Sequence, residues 1–174
     1  VLLTSCQGKK IKNTVFSVDD LAGKTIGVQL GTTGDTLVSD YETDGSGTTV
    51  SRYNKGSDAI QALKQGKADA VVIDEQPALA FVKANPDLTI LEEEFANEDY
   101  AICVAKGNSL TAKLNEAIEV LMADGTIQKL IDDYVGDNAT FSGYKSPDGI
   151  SRTNGTLVMA TNAYFKPYEY YEGG

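Results

Sequence analysis

TIGVQLGTTGD, residues 25–35, sets a hydrophobic run directly against a turn holding two glycines, two threonines and an acid. Thr25–Leu30 reads as a buried strand, because it is short, continuous and bounded by turn residues. A helix is expected to follow from about Asp35 to Tyr41, by the same periodicity argument. Between them, Gly31, Thr32, Thr33 and Gly34 would bring two hydroxyls and the free N–H groups of a helix start to one place. Such a turn can cradle a carboxylate.

The sequence on either side repeats the pattern. Upstream, SVDDLAGK reads as a short helix with Ser17 as cap, Asp19 and Asp20 in the first turn and Gly23 at the end. Downstream, ETDGSGT is a loop and Thr48–Tyr53 a strand. Ser57 is expected to cap the helix DAIQALKQG, whose Ala59, Ile60, Ala62 and Leu63 form an apolar face. ADAVVID is a strand ending on Asp74, and QPALAFVKANP is a helix with one proline near its start and another past its end. LTIL and YAICVA read as further strands. NSLTAKLNEAIEVLMADG has Leu110, Leu114, Ile118 and Leu121 at helical spacing, and TIQKLIDDYVG is a shorter helix. Alternating strands and helices specify an α/β unit with a mostly parallel sheet and helices on both faces, over residues 1–136. Residues 137–155 have linker character, and TLVMATNAYFKPYEYYEGG, residues 156–174, begins a new strand and an aromatic turn.

Ligands of open α/β sheets bind beyond the carboxyl ends of the strands. Two strand ends stand out here: the GTTGD turn, and Asp74, a charged acceptor suited to an ammonium group. An anion cradle beside a cation acceptor points to a zwitterion, and an α-amino acid is the simplest one. Taken singly, each signal has a plain structural explanation. A GTTGD turn commonly just connects strand to helix, and an aspartate at a strand end commonly caps the helix after it.

Composition narrows the classes. The 174 residues carry a net charge of −10, which argues against a nucleic-acid partner. No apolar run is long enough to cross a bilayer. Histidine is absent, and the two cysteines are Cys6 and Cys103, which removes most imidazole- and thiolate-based hydrolytic schemes. No cofactor or metal is called for. Cys6 lies in VLLTSC, which fits a lipoprotein cleavage site but lacks the basic start and longer apolar core of a signal peptide; a plain strand is the favoured reading. Pairing of Cys6 with Cys103 stays open.

In this order, SVDDLAGKTIGVQLGTTGD, NKGSDAIQALKQGKADAVVIDEQPALAFVKANPDLTIL and EDYAICVAKGNSLTAKLNEAIEVLMADGTIQKLIDDYVG resemble the amino-acid-binding solute-binding proteins of ABC transporters, over roughly residues 15–136. TLVMATNAYFKPYEYYEGG resembles the first strand and turn of the other lobe in that family. The resemblance implies the type II periplasmic-binding fold, a clamshell closing on one amino acid, with residues 1–136 forming one lobe and its C-terminal helices. It implies that Gly31, Thr32, Thr33 and Gly34 hold the ligand carboxylate, with Thr33 in direct contact. Gln29 matches a position touching the ligand side chain, and Asp74 matches the acceptor for the α-ammonium. Asn162 takes the place of a polar residue facing the ligand and Phe165 that of the aromatic stacked over it, while Tyr168 and Glu169 serve packing. The implied partners are a free amino acid and the membrane permease subunits of a transporter, working outside the cytoplasm with or without a lipid anchor. Gln29 and Asn162 favour a glutamine-like ligand.

The chain departs from the family pattern in lobe order and in lacking the arginine that pairs with the ligand carboxylate; neither Arg52 nor Arg152 matches it. The expected explanations are a truncation, a permutation or a fragment of tandem domains, with a second copy as one source of the missing lobe. A single lobe alone is expected to bind weakly. Two other function classes share the fold: a dehydratase-type enzyme, for which Asp74 and Glu75 are the only nearby acid–base candidates, and a sensory ligand-binding module.

Overall fold

The computed structural model describes residues 12–136 and 138–171. The VLLT stretch and Cys6 lie outside the described residues; Cys103 is exposed. By packing, the chain divides into two compact units at Asn97/Glu98, inside the stretch the sequence reads as one lobe.

The first unit is built on three parallel strands, β1 (Thr25–Gln29), β2 (Thr49–Tyr53) and β3 (Ala70–Val72), in the order β2-β1-β3. Side chains alternate along β1, so its two faces separate cleanly. Ile26 and Val28, with no exposed surface, join Val15, Leu21, Val38 and Val50 in the core on one face. Val38 comes from helix α1 (Thr33–Ser39). Gly27 and Gln29 turn to the opposite face, where helix α2 (Gly56–Lys64) lies: a Cβ on Gly27 would sit 3.6 Å from that of Ala59. The expected α/β sheet with helices on both faces is therefore present. Helix α3 (Glu75–Ala84) follows β3, with Pro77 buried in its first turn and Pro86 beyond its end.

Local chemistry sets the boundaries. Val18–Leu21 is a 3₁₀ turn rather than an α-helix; the Asp20 carboxylate accepts from the Phe16 and Ser17 N–H groups, and Gly23 closes it at φ +73°. Helix α2 begins before Ser57, not after it. The Gly56 N–H donates to Gln29 Oε1 at 2.9 Å, so a side chain from the neighbouring strand caps this helix. LTIL forms no strand. Leu91 packs instead against the core, as does Phe95, whose ring lies 6.3 Å from that of Tyr41.

The second unit holds helices α4 (Leu110–Ala123) and α5 (Thr126–Tyr134), which pack together, and a small antiparallel hairpin, β4 (Tyr164–Phe165) with β5 (Glu169–Tyr170). YAICVA and the TLVMA run are not strands here. Ile102 is 61% and Val158 87% exposed, and neither stretch joins a ladder among the described residues. An apolar run forms a strand only where a partner strand and a covered face exist.

Part of the 137–155 stretch is tied down rather than loose. The Asp133 carboxylate accepts from the Thr140 hydroxyl, from Ser142 N–H (3.0 Å) and Oγ–H (2.8 Å), and from Gly143 N–H (3.1 Å). Those bonds, led by the Thr140 hydroxyl, hold its pKa down to about 2.

Candidate functional site

Parallel strands in the order β2-β1-β3 place all three carboxyl ends on one edge; the chain passes from β1 to β2 on one side and then crosses back past β1 to reach β3 on the other. That edge between β1 and β3 is a topological switch point, where open α/β sheets bind ligands. The helices α1, α2 and α3 all start there, because each follows one of the three strands. The register pairs Val28 with Val72, so the GTTG turn and Asp74 leave adjacent strands, which run about 4.8 Å apart.

The turn itself is tightly organised. Gly31 adopts φ +76°, a conformation open to glycine, with no atom near enough to crowd a Cβ. Thr32 caps α1: its hydroxyl donates to the Gln29 carbonyl at 2.9 Å and accepts from the Asp35 N–H at 3.3 Å. Thr32 is thus engaged by its own backbone. Thr33, the first helical residue, is exposed, and its hydroxyl makes no hydrogen bond among the described residues. The N–H groups of Thr33 and Gly34 have no place in the helical ladder. Gly34 packs closely on β3, where a Cβ would lie 3.3 Å from the Val72 carbonyl oxygen.

Asp74 stands at the cap position of α3 and is half-buried. Its carbonyl accepts from Ala78 N–H at 3.0 Å, but its side chain does not cap the helix. Gln29 is 3% exposed, with its amide oxygen bonded to Gly56, so it forms the wall behind the turn. Asn162 and Phe165 belong to the second unit. Asn162 is exposed, with Oδ1 accepting from Tyr164 N–H at 3.2 Å. Phe165 is buried against Tyr168, ring centroids 6.3 Å apart, and Tyr168 lies 5.0 Å from Tyr100.

A charged cluster beneath the turn escaped the sequence reading. Asp35, buried on α1, accepts from Gly31 N–H at 2.9 Å and from Arg52 Nε at 2.8 Å. Arg52 also donates to Glu42 and to Ser39, each at 2.8 Å. Burial pushes the Asp35 carboxyl up, but the Gly31 N–H, the Arg52 guanidinium and the Ser39 hydroxyl outweigh it and hold it below the usual range. Hydrogen bonds to Glu42 and Asp35 raise the Arg52 pKa in turn. The available signal was Arg52 itself, one cation in the strand TTVSRY, level with Val28 of β1.

Comparison with known proteins fits this geometry. The L-cystine-binding protein TcyJ of Escherichia coli (strain K12) is 33% identical over 135 residues, which are 74% of this chain and 48% of that protein. The ABC transporter arginine-binding protein 1 of the same organism is 34% identical over 129 residues, 71% of this chain and 52% of that one. This chain is a homologue of the amino-acid-binding proteins of ABC transporters. An ancestral arginine-binding protein solved with arginine superposes with a TM-score of 0.64 at 42% identity, covering 72% of this chain and 56% of that one. The type II periplasmic-binding fold named by the sequence motifs is thereby established. The chain spans about half the length of the curated relatives it matches. No family model matches the sequence. Among the described residues, no cluster of three or more His, Cys, Asp or Glu side chains could hold a metal ion, and no helix is long and apolar enough to cross a membrane.

Proposed function

We propose that this chain carries an α-amino-acid-binding face of an extracytoplasmic solute-binding protein that hands its ligand to the permease of an ABC transporter. The observation that carries this is the placement of the GTTG turn and Asp74 on adjacent strand ends at the switch point. In this reading the ligand carboxylate meets Thr33 Oγ and the N–H groups of Thr33 and Gly34, with Gly31 and Thr32 shaping the turn. Asp74 takes the α-ammonium. Charge-assisted hydrogen bonds of this kind are the strong ones, and they strengthen further where water is excluded. Residues 1–136 then constitute one lobe with its C-terminal helices, and residues 156–174 contribute Asn162 and Phe165 from the start of another.

With its amide oxygen committed to Gly56, Gln29 loses much of the argument for glutamine, and the preference falls to Asn162 and Phe165. The solute-binding proteins among its relatives support a binding role over an enzymatic one. A thermal-shift scan of the whole chain against the free amino acids tests the proposal. A saturable rise for one or a few of them, lost in Asp74→Ala, is expected. A rise that Asp74→Ala retains in full refutes the assigned ammonium site.

A further inference from the structure

Asn154-Gly155 is the one Asn-Gly pair of the sequence, and it lies in the exposed stretch ahead of the β4–β5 hairpin. The chain bends at Asn154, and Gly155 takes φ +96°. A glycine has no side chain to shield its own peptide nitrogen, so the Gly155 N–H is open to approach. Among the described residues, neither the Asn154 side chain nor the Gly155 N–H takes part in a hydrogen bond, so nothing holds the amide away from its neighbour.

Two of the three Asp-Gly pairs of the sequence are restrained, while Asp148-Gly149 is exposed. Asp44, before Gly45, has its carboxylate bonded to Ser46 N–H at 2.7 Å. Asp124, before Gly125, is held by Thr126 N–H at 2.9 Å. Both carboxyls are kept below their ordinary pKa, first by the side-chain hydroxyls of Ser46 and Thr126 and then by those N–H groups. Asn162, the next asparagine along, is also restrained, through Oδ1 and Tyr164 N–H.

We infer that Asn154 is a self-modifying site, where the Gly155 peptide nitrogen cyclises onto the Asn154 amide and water opens the ring to a carboxylate. In the first step the Gly155 nitrogen gives up its proton and forms a bond to Asn154 Cγ. The Cγ–Nδ2 bond breaks and the nitrogen leaves as ammonia, carrying the released proton. Water then adds to one of the two ring carbonyls, giving aspartate or, through the side-chain carboxyl, isoaspartate. No electron is gained or lost; one amide and one water become one carboxylate and one ammonium ion. The net charge of −10 becomes one unit more negative, and the isoaspartyl product lengthens the backbone just before the aromatic hairpin.

The test is incubation of the full chain at mildly alkaline pH, followed by peptide mapping. Trypsin cuts after Arg152, so one peptide starting at Thr153 carries both Asn154 and its internal control, Asn162. Conversion at Asn154 severalfold ahead of Asn162, with isoaspartate detected by enzymatic carboxyl methylation, is the expected result. Asn154→Gln should abolish the acidic isoform while leaving the circular dichroism spectrum unchanged. Conversion at Asn154 no faster than at Asn162, or an acidic isoform that persists in Asn154→Gln, overturns the inference.

Discussion

Replacing Asp35 by alanine tests whether the turn at the site is held from beneath. The carboxylate is 10% exposed and accepts two short bonds, from Gly31 N–H and Arg52 Nε. Hydrogen bonds to a charged group contribute about 1.5–3 kcal/mol each. Two effects reduce the sum. Gly31 is exposed, so water can replace its acceptor, and Arg52 is 33% exposed and keeps Glu42 and Ser39 as partners. The loss should then be about 2–3 kcal/mol, below the ~3–5 kcal/mol seen when a fully buried pair is broken. Urea denaturation followed by circular dichroism, with the first unit's signal fitted by linear extrapolation, reads it directly. Because the folded carboxyl titrates below its ordinary value, its contribution is complete above the unfolded pKa of about 3.9 and disappears as the pH falls through the lower folded pKa. The difference between wild type and Asp35→Ala should therefore be flat near neutrality and shrink only in acid. A loss under about 0.5 kcal/mol, which is ordinary for a surface substitution, would refute the reasoning.

Two further outcomes follow from the same structure. Gly56→Ala would put a Cβ 2.8 Å from Ile73 Cδ1 and 3.3 Å from Gln29 Oε1. It should lower the urea midpoint by the equivalent of roughly 1–2 kcal/mol, despite the better helix propensity of alanine. At Asp133, a carbon-detected NMR titration should find the carboxyl near its value of about 2, and Thr140→Val should move it upward, since the Thr140 hydroxyl is the leading cause of the depression. An unmoved titration in Thr140→Val would mean that the backbone donors of Ser142 and Gly143 suffice.

What the sequence made legible is what neighbours in sequence decide. Strand β1, helix α3 with its flanking prolines, and the α4–α5 pair were all readable from apolar spacing and from Gly and Pro punctuation. The start of α2 was not, because Gln29, distant in sequence, caps it at Gly56. Arg52 and Asp35 likewise meet across two elements, which no local pattern encodes. YAICVA and TLVMA show the limit from the other side: a continuous apolar run says that a strand could be buried there, but not whether a partner strand is there to pair with. At the site, the position of Asp74 at a strand end was legible, while only the geometry showed that its side chain does not cap α3.

The central claim is that one zwitterion spans the GTTG turn and Asp74. A ¹H–¹⁵N NMR titration of the whole chain tests it most directly, since it registers even weak binding. An α-amino acid taken from the thermal-shift scan, its N-acetyl form and its carboxamide would be added in turn. The account predicts saturable shifts at the amides of Thr33, Gly34 and Asp74 with the free amino acid, and much smaller ones with either blocked form. Equal shifts with all three compounds, or shifts confined to residues away from this strand edge, would contradict it.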